Sequence, residues 1–289
     1  MPSPARLLVL GAGGQVGREL VRALAPLGEV VAYDRQALDL SDLQALPEAI
    51  RRARPDVVVN AAAYTAVDRA ETEPDVARAI NAEAPGVLAE TARQLDAILV
   101  HYSTDYVFDG TANAPLPETA TTAPLGVYGQ TKRDGERAVE AAGGRSLVVR
   151  TSWVYAAHGH NFLRTMRRLG DERERLSVVN DQLGSPTSAA WLADATANMV
   201  RVARDTLDAP DLVHATCAGE TTWYGFAEAI FERWPPTTPV ELVPVPTEAY
   251  PTPARRPAYS VLDTTRLRDV YGVDPPHWRE ALAALDLHR

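Results

Sequence analysis

Short apolar runs alternate with longer amphipathic segments through the first half of the chain. The runs are rich in Val, Leu, Ile and Ala, as is typical of strands buried on both faces of a parallel sheet. They lie at residues 6–10, 29–33, 57–60, 97–102 and 147–150. Apolar residues at helical spacing fill residues 15–25, 43–54, 76–94 and 128–142. This alternation predicts an α/β fold in which helices cover both faces of a doubly wound parallel sheet.

The pattern is less regular after about Thr151. Helical spacing recurs at residues 161–173, 189–204 and 223–233, and proline-rich loops are predicted at residues 235–246 and 250–257. These loops argue against a second regular sheet of any size. We therefore predict a sheet domain at residues 1–151. Residues 152–289 then form mainly a smaller substrate-binding lobe, with residues 176–179 returning to the main sheet.

Composition narrows the class of protein. The chain has 289 residues, a single cysteine and a formal net charge of −9. One cysteine excludes a disulfide framework and a thiolate metal cluster, and is typical of the reducing cytoplasm. An acidic chain without a basic block is not expected to bind nucleic acid. No apolar run reaches the roughly 18 residues of a membrane span, so we expect a soluble, cytoplasmic protein without a membrane partner.

A glycine-rich loop follows the first predicted strand and precedes the first predicted helix. Its glycines are Gly11, Gly14 and Gly17 in the string Gly-Ala-Gly-Gly-Gln-Val-Gly. Glycines at such a turn let the backbone approach a pyrophosphate, which then lies at the helix N-terminus. The loop predicts that the sheet domain is Rossmann-like and binds a dinucleotide.

The second strand ends in Asp34 and Arg35. An acidic residue here can hold the ribose hydroxyls of NADH, whereas an arginine can accommodate the 2′-phosphate of NADPH. The sequence leaves both cofactors open. Asp39 and Leu40 follow where an adenine contact is expected, although Asp39 before Ser41 is equally typical of a helix start.

Tyr128 and Lys132 are four residues apart on a predicted helix, and Lys132 is the only lysine of the chain. Residues at this spacing share one helix face. A neighbouring ammonium is expected to lower the pKa of the phenol towards the working range, which suits a general acid acting on a carbonyl oxygen. The alternative is an exposed helix pair without chemistry.

The fourth strand carries polar side chains to its carboxyl end. Ser103 and Thr104 place hydroxyls where they can hydrogen-bond a substrate carbonyl beside Tyr128. Asp105 can accept hydrogen bonds from sugar hydroxyls or cap the following loop. His101 lies before this edge and is predicted to be a core histidine. No spacing of His, Asp or Glu indicates a metal site.

These features together resemble the extended, sugar-nucleotide branch of the short-chain dehydrogenase/reductase superfamily, and within it the dTDP-4-dehydrorhamnose reductases. The most specific similarity lies in longer strings that cover essentially the whole chain. They are Val59-Asn-Ala-Ala-Ala-Tyr-Thr-Ala-Val-Asp68, His101-Tyr-Ser-Thr-Asp-Tyr-Val-Phe108, Arg150-Thr-Ser-Trp-Val-Tyr155, Val179-Asn-Asp-Gln182 and Pro253-Ala-Arg-Arg-Pro257.

The resemblance implies reduction of the 4-keto group of dTDP-4-dehydro-β-L-rhamnose by NADPH or NADH, giving dTDP-L-rhamnose. It implies that Tyr128 donates the proton, Lys132 holds the nicotinamide ribose, and Thr104 orients the carbonyl. The implied dinucleotide contacts, besides the glycine loop, Tyr128 and Lys132, are Gln15, Val16, Asp34, Asp39, Leu40, Ala63, Tyr64, Thr65 and Tyr102. The implied substrate contacts, besides Thr104, are Asp105, Trp153, Arg255 and Arg256. For Trp153 the alternative is a buried aromatic side chain, and for the two arginines a solvated loop.

The resemblance also implies a homodimer. Some relatives hold a magnesium ion with glutamates at the dimer interface, but this chain has Gln15 and Ala189-Ala190 at the corresponding places. We therefore expect no such ion, and a dimer formed through another surface.

Two other functions remain open. The first is a related reductase, epimerase or dehydratase acting on another nucleotide sugar. The second is a non-catalytic NADP-binding protein, similar to the regulatory subunit of methionine adenosyltransferase. The complete set of Thr104, Tyr128 and Lys132 favours catalysis, because a purely structural subunit has no chemical need for it.

Overall fold

Twelve short strands and eleven α-helices occur in the computed structural model, which describes residues 4–206 and 212–287. The strands are Ala5–Leu10 (β1), Gly28–Tyr33 (β2), Val57–Asn60 (β3), Ile98–Thr104 (β4), Ser146–Thr151 (β5), Val154–Tyr155 (β6), Arg175–Val179 (β7), Leu183–Gly184 (β8), Thr187–Ser188 (β9), Leu212–His214 (β10), Thr221–Thr222 (β11) and Glu241–Val245 (β12). The helices are Gln15–Leu24 (α1), Ala45–Ala53 (α2), Val67–Ala70 (α3), Pro74–Arg78 (α4), Ala84–Gln94 (α5), Val127–Ala142 (α6), Phe162–Glu172 (α7), Ala189–Asp205 (α8), Trp223–Arg233 (α9), Thr265–Tyr271 (α10) and Trp278–Ala283 (α11). None of the helices described is both long and apolar enough to cross a membrane.

The main sheet has six parallel strands in the order β10-β5-β4-β3-β1-β2. Successive side chains of β1 enter different cores. Leu7 and Val9 pack in the cluster that contains α1 and α8, whereas Leu8 and Leu10 pack in the cluster that contains α2 and α5. Both sheet faces are therefore covered, which confirms the predicted doubly wound α/β fold. Strand order reverses between β1 and β3, and ligands bind at such a switch point in open α/β sheets.

The returning strand is not the one predicted from the sequence. Residues 176–179 belong to β7, which pairs only with β12. The sixth strand of the main sheet is β10 instead. The prediction of a loop at residues 235–246 is wrong in part, because residues 241–245 form strand β12. Pro244 is tolerated in this strand because a two-stranded pair leaves one edge free. Outside the main sheet, the described strands form only two-stranded pairs, as expected.

The helix predicted at residues 76–94 begins earlier and is interrupted. It starts at Pro74, and Ala79–Glu83 form a π-helical turn between α4 and α5. Such turns often occur at functional sites. Here the turn brings the Asn81 carbonyl against Gly135 of α6, where a Cβ atom would collide with it.

Helix α6 carries Tyr128 and Lys132 and is fixed at several points. Its first N–H group, from Val127, donates to Glu71 Oε1 at 2.8 Å. Glu136 accepts two hydrogen bonds from Arg150 of β5, at 2.8 and 2.7 Å. Gly129 lets the helix approach the Tyr106 carbonyl, which a Cβ atom at this position would strike. The helix therefore stands in one orientation against the end of β4.

Candidate active site

A cleft of about 1010 Å³ opens at the carboxyl edge of the main sheet, at the switch point between β1 and β3. Sixteen of the residues predicted for cofactor, substrate or catalysis line it. They are Gly11, Gly14, Gln15, Val16, Asp34, Asp39, Leu40, Ala63, Tyr64, Thr65, Tyr102, Thr104, Asp105, Tyr128, Lys132 and Trp153. Gly17, Arg255 and Arg256 do not line it.

The glycine loop forms one end of this cleft. Gly11 has a φ of +78°, and a Cβ atom there would lie 2.7 Å from the Ala62 nitrogen. Gly14 precedes α1, and no side chain caps this helix end. The first backbone N–H groups of α1 therefore remain available to an anion. Gly17 has a packing role instead of a cofactor contact, because a Cβ atom there would collide with the Gly11 carbonyl.

The turn after β2 lies at the same end. Asp34 Oδ1 accepts hydrogen bonds from the Gln36 and Ala37 nitrogens at 3.0 and 2.9 Å. The guanidinium of Arg35 lies 3.2 Å from Asp39 and is 81% exposed, so it is free to turn towards a phosphate. Asp39 both lines the cleft and holds its own turn through Ser41, whose hydrogen bonds lower the pKa of the Asp39 carboxyl.

Asn81 was missed by the sequence reasoning, yet it fixes one wall of the cleft. Its side chain comes from the π-helical turn and is fully buried. The amide accepts from the Tyr64 nitrogen at 2.8 Å and donates to the Tyr64 carbonyl at 3.0 Å. The available signal was an asparagine between the apolar residues Ile80 and Ala82, since buried amides are generally hydrogen-bonded.

Tyr128, Thr104 and Lys132 all line the cleft. Thr104 ends that strand, and its hydroxyl donates to Asp105 Oδ1 at 3.0 Å. The Tyr128 ring makes an edge contact with Tyr106, with centroids 5.8 Å apart. Helix α6 thus places the phenol beside the threonine hydroxyl, as the sequence predicts from the order of the elements.

The pKa of Tyr128 does not follow the prediction. Burial raises it to about 12, a hydrogen bond with Thr104 lowers it, and the charge of Asp105 raises it further. The expected lowering by Lys132 is not among these causes, so that prediction is wrong for this structure. The phenol remains neutral at ordinary pH, which is the form that can donate a proton.

Lys132 lines the cleft with a side chain that is almost fully buried. Its Nζ donates to the Tyr102 carbonyl oxygen at 2.6 Å and lies 3.4 Å from His101 Nε2. Burial lowers the pKa of Lys132 to about 8, although the charge of Glu136 opposes this shift. His101 is a buried side chain whose pKa is lowered by its burial and by Lys132, so it is a neutral core histidine. Asn60 holds its other ring nitrogen at 3.1 Å.

Asp105 is buried beside Thr104, with 2% of its surface exposed. Its Oδ2 atom has no hydrogen-bond partner among the described residues. Burial raises the pKa of this carboxyl to about 7, and hydrogen bonds with Ser260 and Thr104 oppose the rise. An acceptor with a free lone pair therefore faces the cleft close to the phenol.

Arg255 and Arg256, two of the implied substrate contacts, do not line the cleft. Arg256 pairs with Asp68 at 2.9 Å and lies over the Tyr106 ring at 5.9 Å. Arg255 is exposed and lines a small cavity of about 10 Å³ that Tyr128 also lines. The loop at 250–257 is thus held to α3 by an ion pair, a contact that loop composition does not reveal. Within residues 4–206 and 212–287, no group of three or more His, Cys, Asp or Glu side chains is placed to hold a metal ion.

Comparison with known proteins agrees with this geometry. Residues 5–286 match the family model described as the RmlD substrate binding domain. A dTDP-4-dehydrorhamnose reductase of Burkholderia thailandensis is 49% identical over 287 residues, covering 96% of each chain. The chain belongs to the dTDP-4-dehydrorhamnose reductase family. This membership confirms the predicted enzyme class, a nicotinamide-dependent oxidoreductase.

Solved structures of the dTDP-4-dehydrorhamnose reductase family share the fold over nearly their full length. That of Clostridium acetobutylicum is 39% identical with a TM-score of 0.90, and 96% of this chain and 97% of that chain are covered. That of Bacillus anthracis, in complex with NADP, is 35% identical with a TM-score of 0.91, and 99% of each chain is covered. Binding of NADP by this relative agrees with the predicted cofactor, NADPH or NADH.

Proposed function

We propose that the chain reduces the 4-keto group of dTDP-4-dehydro-β-L-rhamnose with NADPH or NADH and forms dTDP-L-rhamnose. The observation that carries this proposal is that Tyr128, Thr104 and Lys132 line the same cleft as the glycine loop. Two relatives named dTDP-4-dehydrorhamnose reductase, at 47% and 49% identity over nearly the whole chain, support the choice of substrate.

The residues of the cleft fit a dinucleotide. Gly11 and Gly14 line the cleft beside the uncapped start of α1, whose first N–H groups suit a pyrophosphate. Asp34 and Arg35 at the turn after β2 suit the adenosine half, with Arg35 able to meet a 2′-phosphate. Lys132, whose Nζ donates to the Tyr102 carbonyl and which lines the cleft, holds the nicotinamide ribose in this proposal. The cofactor supplies a hydride to the keto carbon when it is bound.

The protein residues handle the proton and the oxygen. Thr104 and Tyr128 hydrogen-bond the keto oxygen, which fixes its position as negative charge develops. Tyr128 then transfers its phenolic proton to that oxygen, so the carbonyl becomes a secondary alcohol and the phenolate regains a proton from solvent. Because its pKa lies near 12, the phenol carries the required proton throughout the physiological range.

The test is a coupled assay with dTDP-4-dehydro-6-deoxyglucose, a 3,5-epimerase that forms the substrate in place, and NADPH or NADH in parallel. We expect loss of reduced nicotinamide only when the epimerase is present, with dTDP-L-rhamnose as product. Tyr128→Phe should reduce kcat by at least about 100-fold, the usual contribution of a general acid, while leaving NADPH binding intact.

Tyr155→Phe is the matched control, because the Tyr155 hydroxyl is buried without a hydrogen-bond partner among the described residues and lies in the C-terminal core. It should retain full activity. Normal turnover by Tyr128→Phe would show that another group is the acid. Tight NADPH binding without any oxidation would favour another nucleotide sugar or the regulatory-subunit function. The homodimer implied by the resemblance stays a prediction.

A further inference from the structure

Two tryptophans stack at the wall of the cleft. The rings of Trp153 and Trp223 are nearly parallel, with centroids 3.5 Å apart and an interplanar angle of 5°. Trp153 lines the cleft, whereas Trp223 does not and packs on Phe162 in the C-terminal core. One indole therefore faces the ligand space and the other supports it from behind.

Trp153 is held in an unusual conformation. Its φ of +46° lies in the left-handed region, which a bulky residue rarely adopts without support from its surroundings. Gly184 of β8 provides room for the ring, because a Cβ atom there would collide with the indole. The ring is thus confined between the backbone of β8 and Trp223.

The string Asn180-Asp181-Gln182 has no place in the chemistry but fixes Trp223. Gln182 Oε1 accepts from the Trp223 indole nitrogen at 3.2 Å, and its amide donates to Thr247 at 3.0 Å. Asn180 accepts from the hydroxyl of Thr222, the residue before Trp223, at 2.6 Å. Gln182 is buried, so its two hydrogen bonds hold the amide in one orientation.

We infer that Trp223, held by Gln182, is a positioning residue that keeps the Trp153 indole flat against the sugar-binding part of the cleft. This inference rests on the proposed function, since it takes the occupant to be a deoxyhexose. The C–H groups and methyl group of such a sugar offer an apolar face to an indole ring. Without its partner the Trp153 ring gains rotational freedom, which sugar binding must then remove.

The kinetic arm compares Trp223→Leu, Trp223→Phe and Gln182→Met with wild type and with Trp234→Leu. Trp234 is the control because its ring packs against Arg167 and Arg233 and no second indole among the described residues. We expect Trp223→Leu to raise KM for the sugar about two- to tenfold, the usual range for an aromatic pair, with kcat and KM for the coenzyme within about twofold. Trp223→Phe keeps a ring against Trp153 but loses the hydrogen bond to Gln182, so Trp223→Phe and Gln182→Met should each show only part of the increase.

The spectroscopic arm reports the pair without substrate. Indoles in contact couple their ultraviolet transitions, so wild type should show a couplet in circular dichroism. Trp153→Leu and Trp223→Leu should each abolish it, while Trp234→Leu should retain it. If Trp223→Leu does not fold, Trp223→Phe and Gln182→Met still test the inference.

A wild type without the couplet, an unchanged sugar KM in Trp223→Leu, or a Trp223→Phe enzyme as impaired as Trp223→Leu would each overturn the inference. A wild type that shows the couplet but reduces no dTDP-sugar refutes the proposed function and the sugar as occupant, while leaving the stacked pair in place.

Discussion

Replacing Asp105 with asparagine should change how the stability of the protein depends on pH. The Asp105 carboxyl is buried at the end of β4, and one of its oxygens has no partner among the described residues. Its pKa is raised from 3.8 to about 7 because burial disfavours the charged form. The folded state therefore binds this proton more tightly than the unfolded state, so stability falls as pH rises from about 4 to about 7.

The magnitude follows from the two pKa values. One pKa unit corresponds to about 1.4 kcal/mol, so the ionised carboxyl costs the folded state about 4.3 kcal/mol at pH 8 and about 1.7 kcal/mol at pH 5. The amide that replaces the carboxyl in the variant cannot ionise and escapes this cost. The free energy of unfolding of Asp105→Asn, minus that of wild type, should therefore increase by about 2.5 kcal/mol between pH 5 and pH 8.

Urea unfolding of both proteins at the two pH values, followed by tryptophan fluorescence and circular dichroism, measures this difference. Other titrating groups are common to both proteins and cancel when the variant is compared with wild type at each pH. Coincident transitions in the two signals check that unfolding is two-state. A difference that is constant with pH within about 0.5 kcal/mol would show that Asp105 ionises normally, and the argument from burial would fail.

Two further variants test how α6 is held. Glu136→Gln leaves the buried Arg150 guanidinium without its charged partner, so it should lower the free energy of unfolding by about 3–5 kcal/mol. Urea unfolding measures this loss. A loss below about 1 kcal/mol would show that solvent reaches the ion pair. Gly129→Ala places a methyl group against the Tyr106 carbonyl and should cost about 1–3 kcal/mol of stability while lowering kcat more than coenzyme affinity. Unchanged kcat with this variant would show that the Tyr128 position tolerates movement of the helix.

Local patterns in the sequence determined the parts of the fold that depend on neighbouring residues. Five of the six strands of the main sheet, the glycine turn and the face shared by Tyr128 and Lys132 follow from period, turn chemistry and a spacing of four. Parallel strands with helical crossovers also bring their carboxyl ends to one edge of the sheet, so the sequence alone predicts that the site lies at this edge.

Contacts between distant segments were decided only by the tertiary structure. Arg256 pairs with Asp68, 188 residues earlier, and not with the ligand space predicted for it. The short strand β10 completes the main sheet in place of the predicted segment 176–179, which pairs with β12. The residue types of these segments allow either arrangement, because pairing depends on which surface the rest of the chain leaves open.

The environment of the site was likewise set by packing. The spacing of Tyr128 and Lys132 indicated a shared face, but burial decided that the phenol pKa rises and the lysine pKa falls. The stack of Trp153 on Trp223 joins residues 70 positions apart, and no pattern links them in the sequence. The sequence by itself determined most of the groups that line the cleft, whereas their protonation and orientation depend on desolvation and contacts that exist only when the chain is folded.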